Sequence, residues 1–135
     1  MKNLLKTTLV TITLIGITNL ASAAQPVEPK VVGLMFWADT CASCKVLDPK
    51  IHAVKGEFVE QPILFATFDH SNDATKLQAA MLATGLGVGD IYKAQEKASG
   101  FLILVDAKTK QPVGKLTRDM SEEDIRKEIN KALKG

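Results

Sequence analysis

The stretch Trp37-Ala38-Asp39-Thr40-Cys41-Ala42-Ser43-Cys44-Lys45 holds both cysteines of a 135-residue chain. It lies where one structural period gives way to another. Upstream, Val31 to Trp37 is a nearly unbroken apolar run, as expected of a strand buried on both faces. Downstream, Val46, Ile51, Val54 and Phe58 recur at helical spacing. This predicts one helix over 41–58, kinked at Pro49. The cysteines therefore stand at a strand-to-helix junction. A bridge across two intervening residues closes a very small loop and removes little entropy from the unfolded chain, so the pair is better suited to chemistry than to stapling. Cys41 is expected in the first helical turn, where unpaired N–H groups and the helix dipole favour an anion and Thr40 can cap. A partly buried helix start is worth up to ~2 kcal/mol to such an anion, and Lys45, one turn on, adds to it. Cys44 is deeper in the helix and less favoured as a thiolate. Cys41 is then the sulfur that attacks a disulfide, and Cys44 the one that resolves the mixed intermediate.

Working outward, Pro62 to Asp69 reads as a second strand. Ser71 to Thr84 reads as a second helix, capped by Ser71 or Asn72, stopped by Gly85 and carrying an apolar face of Leu77, Ala80 and Met81. Gly87 and Gly89 interrupt the chain before a short helix over Asp90–Lys97. Phe101 to Asp106 is a third buried strand, and Pro112 to Arg118 pairs with it through the polar turn 107–111. Ser121 with Asp124 forms a capping box for a final helix whose apolar positions are Ile125, Ile129 and Leu133. No internal repeat is present. The order predicts an α/β fold. The first two strands are parallel through a right-handed crossover, the last two form an antiparallel hairpin, and helices cover both faces of a central mixed four-stranded sheet.

The N-terminus has a different character. Lys2 and Lys6 precede an apolar run from Thr7 to about Leu20 that ends in Ala21-Ser22-Ala23, the three-part pattern of a secretory signal peptide. The run is shorter than the roughly 20 residues that span a bilayer. We therefore expect residues 1–23 to be a leader cleaved near Ala23, residues 24–135 to form one domain, and the mature chain to be periplasmic or secreted. Losing Lys2 and Lys6 from the 17 basic residues leaves 15 against 15 acidic. The charges alternate along the chain, which argues against nucleic acid as a partner.

With Trp37, Ala38, Lys45 and Pro49 around the two cysteines, and with this strand order, residues 31–133 resemble the thioredoxin family. There a W-A-x-x-C-x-x-C-K segment follows the first buried strand and carries a redox dithiol. The resemblance implies a thioredoxin-like fold and a thiol-disulfide oxidoreductase without a bound cofactor. It also implies protein thiols and disulfides as substrates, and for an exported reductase an electron donor or acceptor at the membrane. Two positions depart from the family pattern. Met35 stands where many thioredoxins have a buried Asp that takes the proton of the resolving thiol, and Asp39, although near in sequence, is expected to face solvent. Ser99-Gly100 stands where the family usually has a cis-proline facing the dithiol. Trp37, Asp39, Thr40, Lys45, Ser99 and Gly100 are thus the expected surround of Cys41 and Cys44.

That missing proline also guards the family's dithiol against metals, which keeps a second reading open: a carrier of copper, zinc or an iron-sulfur cluster. Two thiolates fill only half of a tetrahedral site. His52 and His70 are the only imidazoles, both expected as ordinary surface residues, with His70 at a sheet end near the dithiol. A third reading is a non-catalytic adaptor with a permanent disulfide. Phe36, Phe65, Phe68 and Phe101 read as core. Trp37 reads as core edge and as a gate to the dithiol. The Gly85, Gly87, Gly89 series lacks the strand and helix of a nucleotide-binding fingerprint.

Overall fold

A computed structural model describes residues 28–135; the expected leader and its cleavage point lie outside the described residues. The apolar runs become β1 (Val31–Trp37), β2 (Ile63–Asp69) and β3 (Phe101–Asp106), with β4 at Pro112–Thr117. The helices are α1 (Ala42–Lys55), α2 (Asp73–Gly85), α3 (Gly89–Ala94) and α4 (Glu122–Lys134). The sheet order is β2-β1-β3-β4. β1 is parallel to β2, antiparallel β3 lies on its other side, and β4 closes the hairpin. The expected mixed four-stranded sheet is therefore the one observed.

Alternation along the strands divides the core in two. Val31, Met35, Leu102, Leu104 and Leu116 face α1 and α4, where Cys44, Leu47, Ile51, Val54, Ile125 and Ile129 complete one apolar layer. Val32, Leu34, Phe36, Phe101, Ile103 and Val105 face the other way, against Phe68, Ala79, Ala83, Val88 and Tyr92 of the α2–α3 side. Gly33 is required by the first layer, because a Cβ there would meet the Phe65 ring at 2.9 Å. Among the described residues no helix is long and apolar enough to cross a membrane.

Several elements differ from the sequence expectation. The first helix ends at Lys55, and Gly56–Phe58 is a separate 3-10 turn, although Phe58 is buried as expected. On α1 Leu47 occupies the core while Val46 is 46% exposed. On α2 the buried residues are Ala79 and Ala83, whereas Leu77 and Met81 lie on the outside. The physical reason is proximity: α2 rests directly on β2, and at that distance only small side chains fit beneath it. The short helix stops at Ala94 rather than Lys97. Both caps read from sequence are present, Asn72 with Thr75 and Ser121 with Asp124, each as a reciprocal capping box.

Candidate active site

β1 delivers Trp37 to the carboxyl end of the sheet, and α1 begins at Ala42, five residues later. Cys41 is itself the N-cap of α1: its backbone is extended, and its Sγ accepts the N–H of Cys44 at 3.1 Å. This corrects two expectations, since Thr40 does not cap the helix and Cys41 precedes the first turn. Thr40 and Asp39 are both exposed. The Asp39 N–H donates to the Ser71 hydroxyl, and Ser71 in turn donates to Asp69 from both its N–H and its hydroxyl, tying the motif loop to the end of β2. Lys45 is exposed and makes no ion pair among the described residues.

Cys41 and Cys44 are joined as a disulfide, with Cα atoms 5.3 Å apart. Their exposures differ: Cys41 is half-buried, while Cys44 is fully buried in the α1–α4 layer. Met35 occupies that layer too, and among the described residues no charged or polar side chain is buried. Cys44 Sγ lies 3.7 Å from the carbonyl oxygen of Phe36. A thiol at Cys44 thus has an acceptor for its S–H and apolar surroundings that disfavour its ionised form. Trp37 is half-buried against the same layer.

Gly100 closes the site from the β3 side. Its N–H donates to Phe36 O at 2.8 Å, and its φ of +93° is one that L side chains rarely adopt. A Cβ at this position would lie 2.6 Å from Ser43 Cβ and 3.2 Å from Cys41 Sγ. Ser99-Gly100 therefore reaches the disulfide through a left-handed backbone with trans peptides, since the described residues contain no cis peptide bond.

The two histidines part company. His52 is exposed on α1, near Asp48 and Lys55. His70 is not the ordinary surface residue expected. Its N–H donates to Trp37 O at 2.8 Å, and its ring stands edge-on to Phe36 and Tyr92, 5.9 and 5.4 Å between centroids. Burial is the main cause holding its pKa below the ordinary 6.5, with the nearby Lys76 charge second; the Ala98 backbone and the charges of Asp69 and Glu96 act the other way. The parallel register offered a signal for this residue. Trp37 pairs with Asp69, so the residue after Asp69 lies beside the motif loop. Among the described residues no group of three His, Cys, Asp or Glu side chains is arranged to hold a metal ion.

A sheet of this order, with a C-x-x-C disulfide at the start of the helix following β1, defines the class: this chain has the thioredoxin-like fold. No family profile matches the chain, and no curated protein matches it. Among solved structures it is similar to a thiol:disulfide interchange protein of the thioredoxin family from Chlorobium tepidum. That likeness has a TM-score of 0.53 at 16% identity, over 79% of this chain and 82% of the other. It is similar also to StoA from Bacillus subtilis, with a TM-score of 0.52 at 15% identity over 77% and 85% of the two chains. A third is the thioredoxin domain of a thiol-disulfide oxidoreductase from Bacteroides vulgatus, with a TM-score of 0.53 at 16% identity over 79% and 81%. At these identities the likeness establishes the fold.

Proposed function

We propose that the protein is an exported thiol-disulfide oxidoreductase acting on protein thiols and disulfides, with Cys41 as nucleophile and Cys44 as resolving thiol. The observation that carries this is the asymmetry of the pair. Cys41 reaches solvent at a helix start and accepts an N–H, whereas Cys44 is enclosed by apolar side chains. Once the disulfide is reduced, that N–H and the helix dipole favour the thiolate at Cys41, and enclosure favours the thiol at Cys44. The Cys41 thiolate attacks a substrate disulfide, forming a Cys41–substrate disulfide and releasing one substrate thiolate. Cys44 then loses its proton and attacks Cys41 Sγ, which re-forms the internal disulfide and releases the second substrate thiolate. The substrate gains two electrons and the dithiol loses them; the reverse sequence oxidises a substrate dithiol. Continued reduction outside the cytoplasm calls for a donor of dithiol electrons at the membrane. Export rests on the pattern Lys2 to Ala23, and N-terminal sequencing of the chain recovered outside the cytoplasm tests it.

The chemistry is tested by alkylating Cys41 across pH in reduced, metal-free protein and by equilibrating the dithiol with glutathione. A midpoint below that of a free cysteine, together with reversible exchange, is the expected result. An unshifted thiol with tight uptake of copper or zinc points instead to the carrier, and a disulfide that glutathione cannot reduce points to the adaptor. Cys44→Ser should accumulate mixed disulfides with substrates. Equal accumulation by Cys41→Ser would overturn the assignment of roles.

A further inference from the structure

Ser71 has no part in the exchange just described, yet its hydroxyl grips the loop that delivers Cys41. Its N–H donates to Asp69 Oδ1 at 2.8 Å, and its hydroxyl donates to the same oxygen. A hydroxyl carries one hydrogen, so the bond to Asp69 leaves its lone pairs for the motif loop, where they accept the Asp39 N–H at 3.0 Å. A carboxylate only accepts, and this fixes the direction of the relay from backbone amide to hydroxyl to Asp69. One residue earlier, the His70 N–H donates to Trp37 O at 2.8 Å. Residues 69–71 therefore hold the loop at two points, Trp37 and Asp39, and the parallel register that sets Trp37 beside Asp69 brings them there. Only Thr40 separates Asp39 from Cys41, whose N–H closes a turn on Ala38 O at 3.1 Å.

We infer that Ser71, oriented by Asp69, is a positioning residue for the dithiol: it holds residues 38–40 so that Cys41 keeps its place as N-cap once the disulfide opens, and it thereby favours the reduced form of the pair. The two redox states hold the loop differently. When the pair is oxidised, the bond between Cys41 and Cys44 pins the end of the loop to α1 with or without Ser71. When it is reduced that tether is gone, and non-covalent contacts alone keep the extended backbone of Cys41 that lets its Sγ accept the Cys44 N–H. Losing the Ser71 hydroxyl then frees the loop to swing, and the Cys41 thiolate loses its N–H and its place at the helix start. The reduced state gives up more than the oxidised one. Two glutathione thiols reduce the protein disulfide to two thiols and leave as one glutathione disulfide, so a penalty on the dithiol moves this equilibrium toward the protein disulfide.

The effect on the glutathione equilibrium rests on the thiol-disulfide reading, whereas the hold on the loop does not, so the experiment reads each separately. Amide hydrogen exchange at Asp39, the equilibrium with glutathione, and urea unfolding of the oxidised and reduced forms are measured at one pH in the parent, Ser71→Ala and Ser71→Thr. Ala removes the hydroxyl and keeps the backbone N–H to Asp69; Thr keeps both. In Ser71→Ala, Asp39 exchange in the reduced protein should quicken and the glutathione equilibrium shift toward the protein disulfide, each on the order of fivefold, the equivalent of one ordinary hydrogen bond. The reduced form of this variant should lose more stability than the oxidised form. Ser71→Thr should restore most of all three. Unchanged Asp39 exchange in Ser71→Ala overturns the inference, as does equal loss in both variants, which would remove the hydroxyl as the cause. Quicker exchange with an unchanged glutathione equilibrium, both redox forms being destabilised alike, makes Ser71 merely structural and overturns the positioning role. A parent disulfide that glutathione cannot reduce sinks the oxidoreductase reading; unfolding of the oxidised and dithiothreitol-reduced forms then still decides whether Ser71 favours the reduced state.

Discussion

At the scale of single residues, the site depends on what Gly100 lacks. In the thioredoxins that this chain resembles, a cis-proline borders the dithiol; here the approach is made by a glycine at φ +93° whose missing Cβ leaves room for Ser43 and Cys41 Sγ. Gly100→Ala would impose a conformation that costs on the order of 1–3 kcal/mol and add a methyl 2.6 Å from Ser43 Cβ. We expect a loss of stability of at least about 2 kcal/mol, read by urea unfolding of the oxidised protein. A variant within about 0.5 kcal/mol of the parent would show that the segment simply moves aside. Ser43→Gly in the same background should recover part of the loss, because it removes the atom that is struck first.

Secondary structure elements record how much could be read from the sequence and where the reading stopped. β1 and β3 are contiguous apolar runs, and their bounds match the expected ones to the residue. The capping box at Ser121 is a four-residue pattern and is equally local. The face of α2 was not legible, because burial there is decided by the closeness of β2 rather than by hydrophobicity. Ala79 and Ala83 fit beneath the helix, and Leu77 and Met81 do not. Leu77→Lys and Met81→Lys should therefore each change stability by less than about 0.5 kcal/mol, whereas Ala79→Leu should cost about 1–3 kcal/mol by overpacking. Thermal unfolding of the three variants side by side checks the ordering. Asn72→Ala should cost about 1 kcal/mol through its cap. In the site itself the cysteines, their junction and the Ser99-Gly100 replacement were all visible in the chain. That Cys41 serves as its own helix cap was not, because a sulfur that accepts an N–H leaves no mark in composition. The partial burial of His70 was likewise hidden, since it arises against Phe36 and Tyr92, residues far from it in sequence.

For the whole molecule, acid should act in two stages. His70 has a folded pKa below 6.5, so its contribution is complete above that value and is lost as pH falls through the folded one. The carboxylates of Glu57, Asp106, Glu123 and Asp124 are held below their ordinary values, chiefly by hydrogen bonds from Arg126, Thr109, Lys127 and Ser121 respectively. Their contributions are present above 4.5 for Glu and 3.8 for Asp and are lost at lower pH. Urea midpoints against pH should show a first decline beginning near 6.5 and a second below about 4.5. The first should vanish in His70→Phe. Added salt should shrink the second, whose groups are exposed, more than the first, whose ring is half-buried. A single decline confined to the carboxylate range would contradict this picture of His70.

Met35 and the apolar layer around Cys44 bear on time as well as on structure. Among the described residues no carboxylate is buried beside the inner sulfur to receive its proton, so in the proposed exchange the second half would wait for water or for the departing thiolate to take it. A captured partner would then dwell on the protein, its release rather than its capture governing the pace of each turnover.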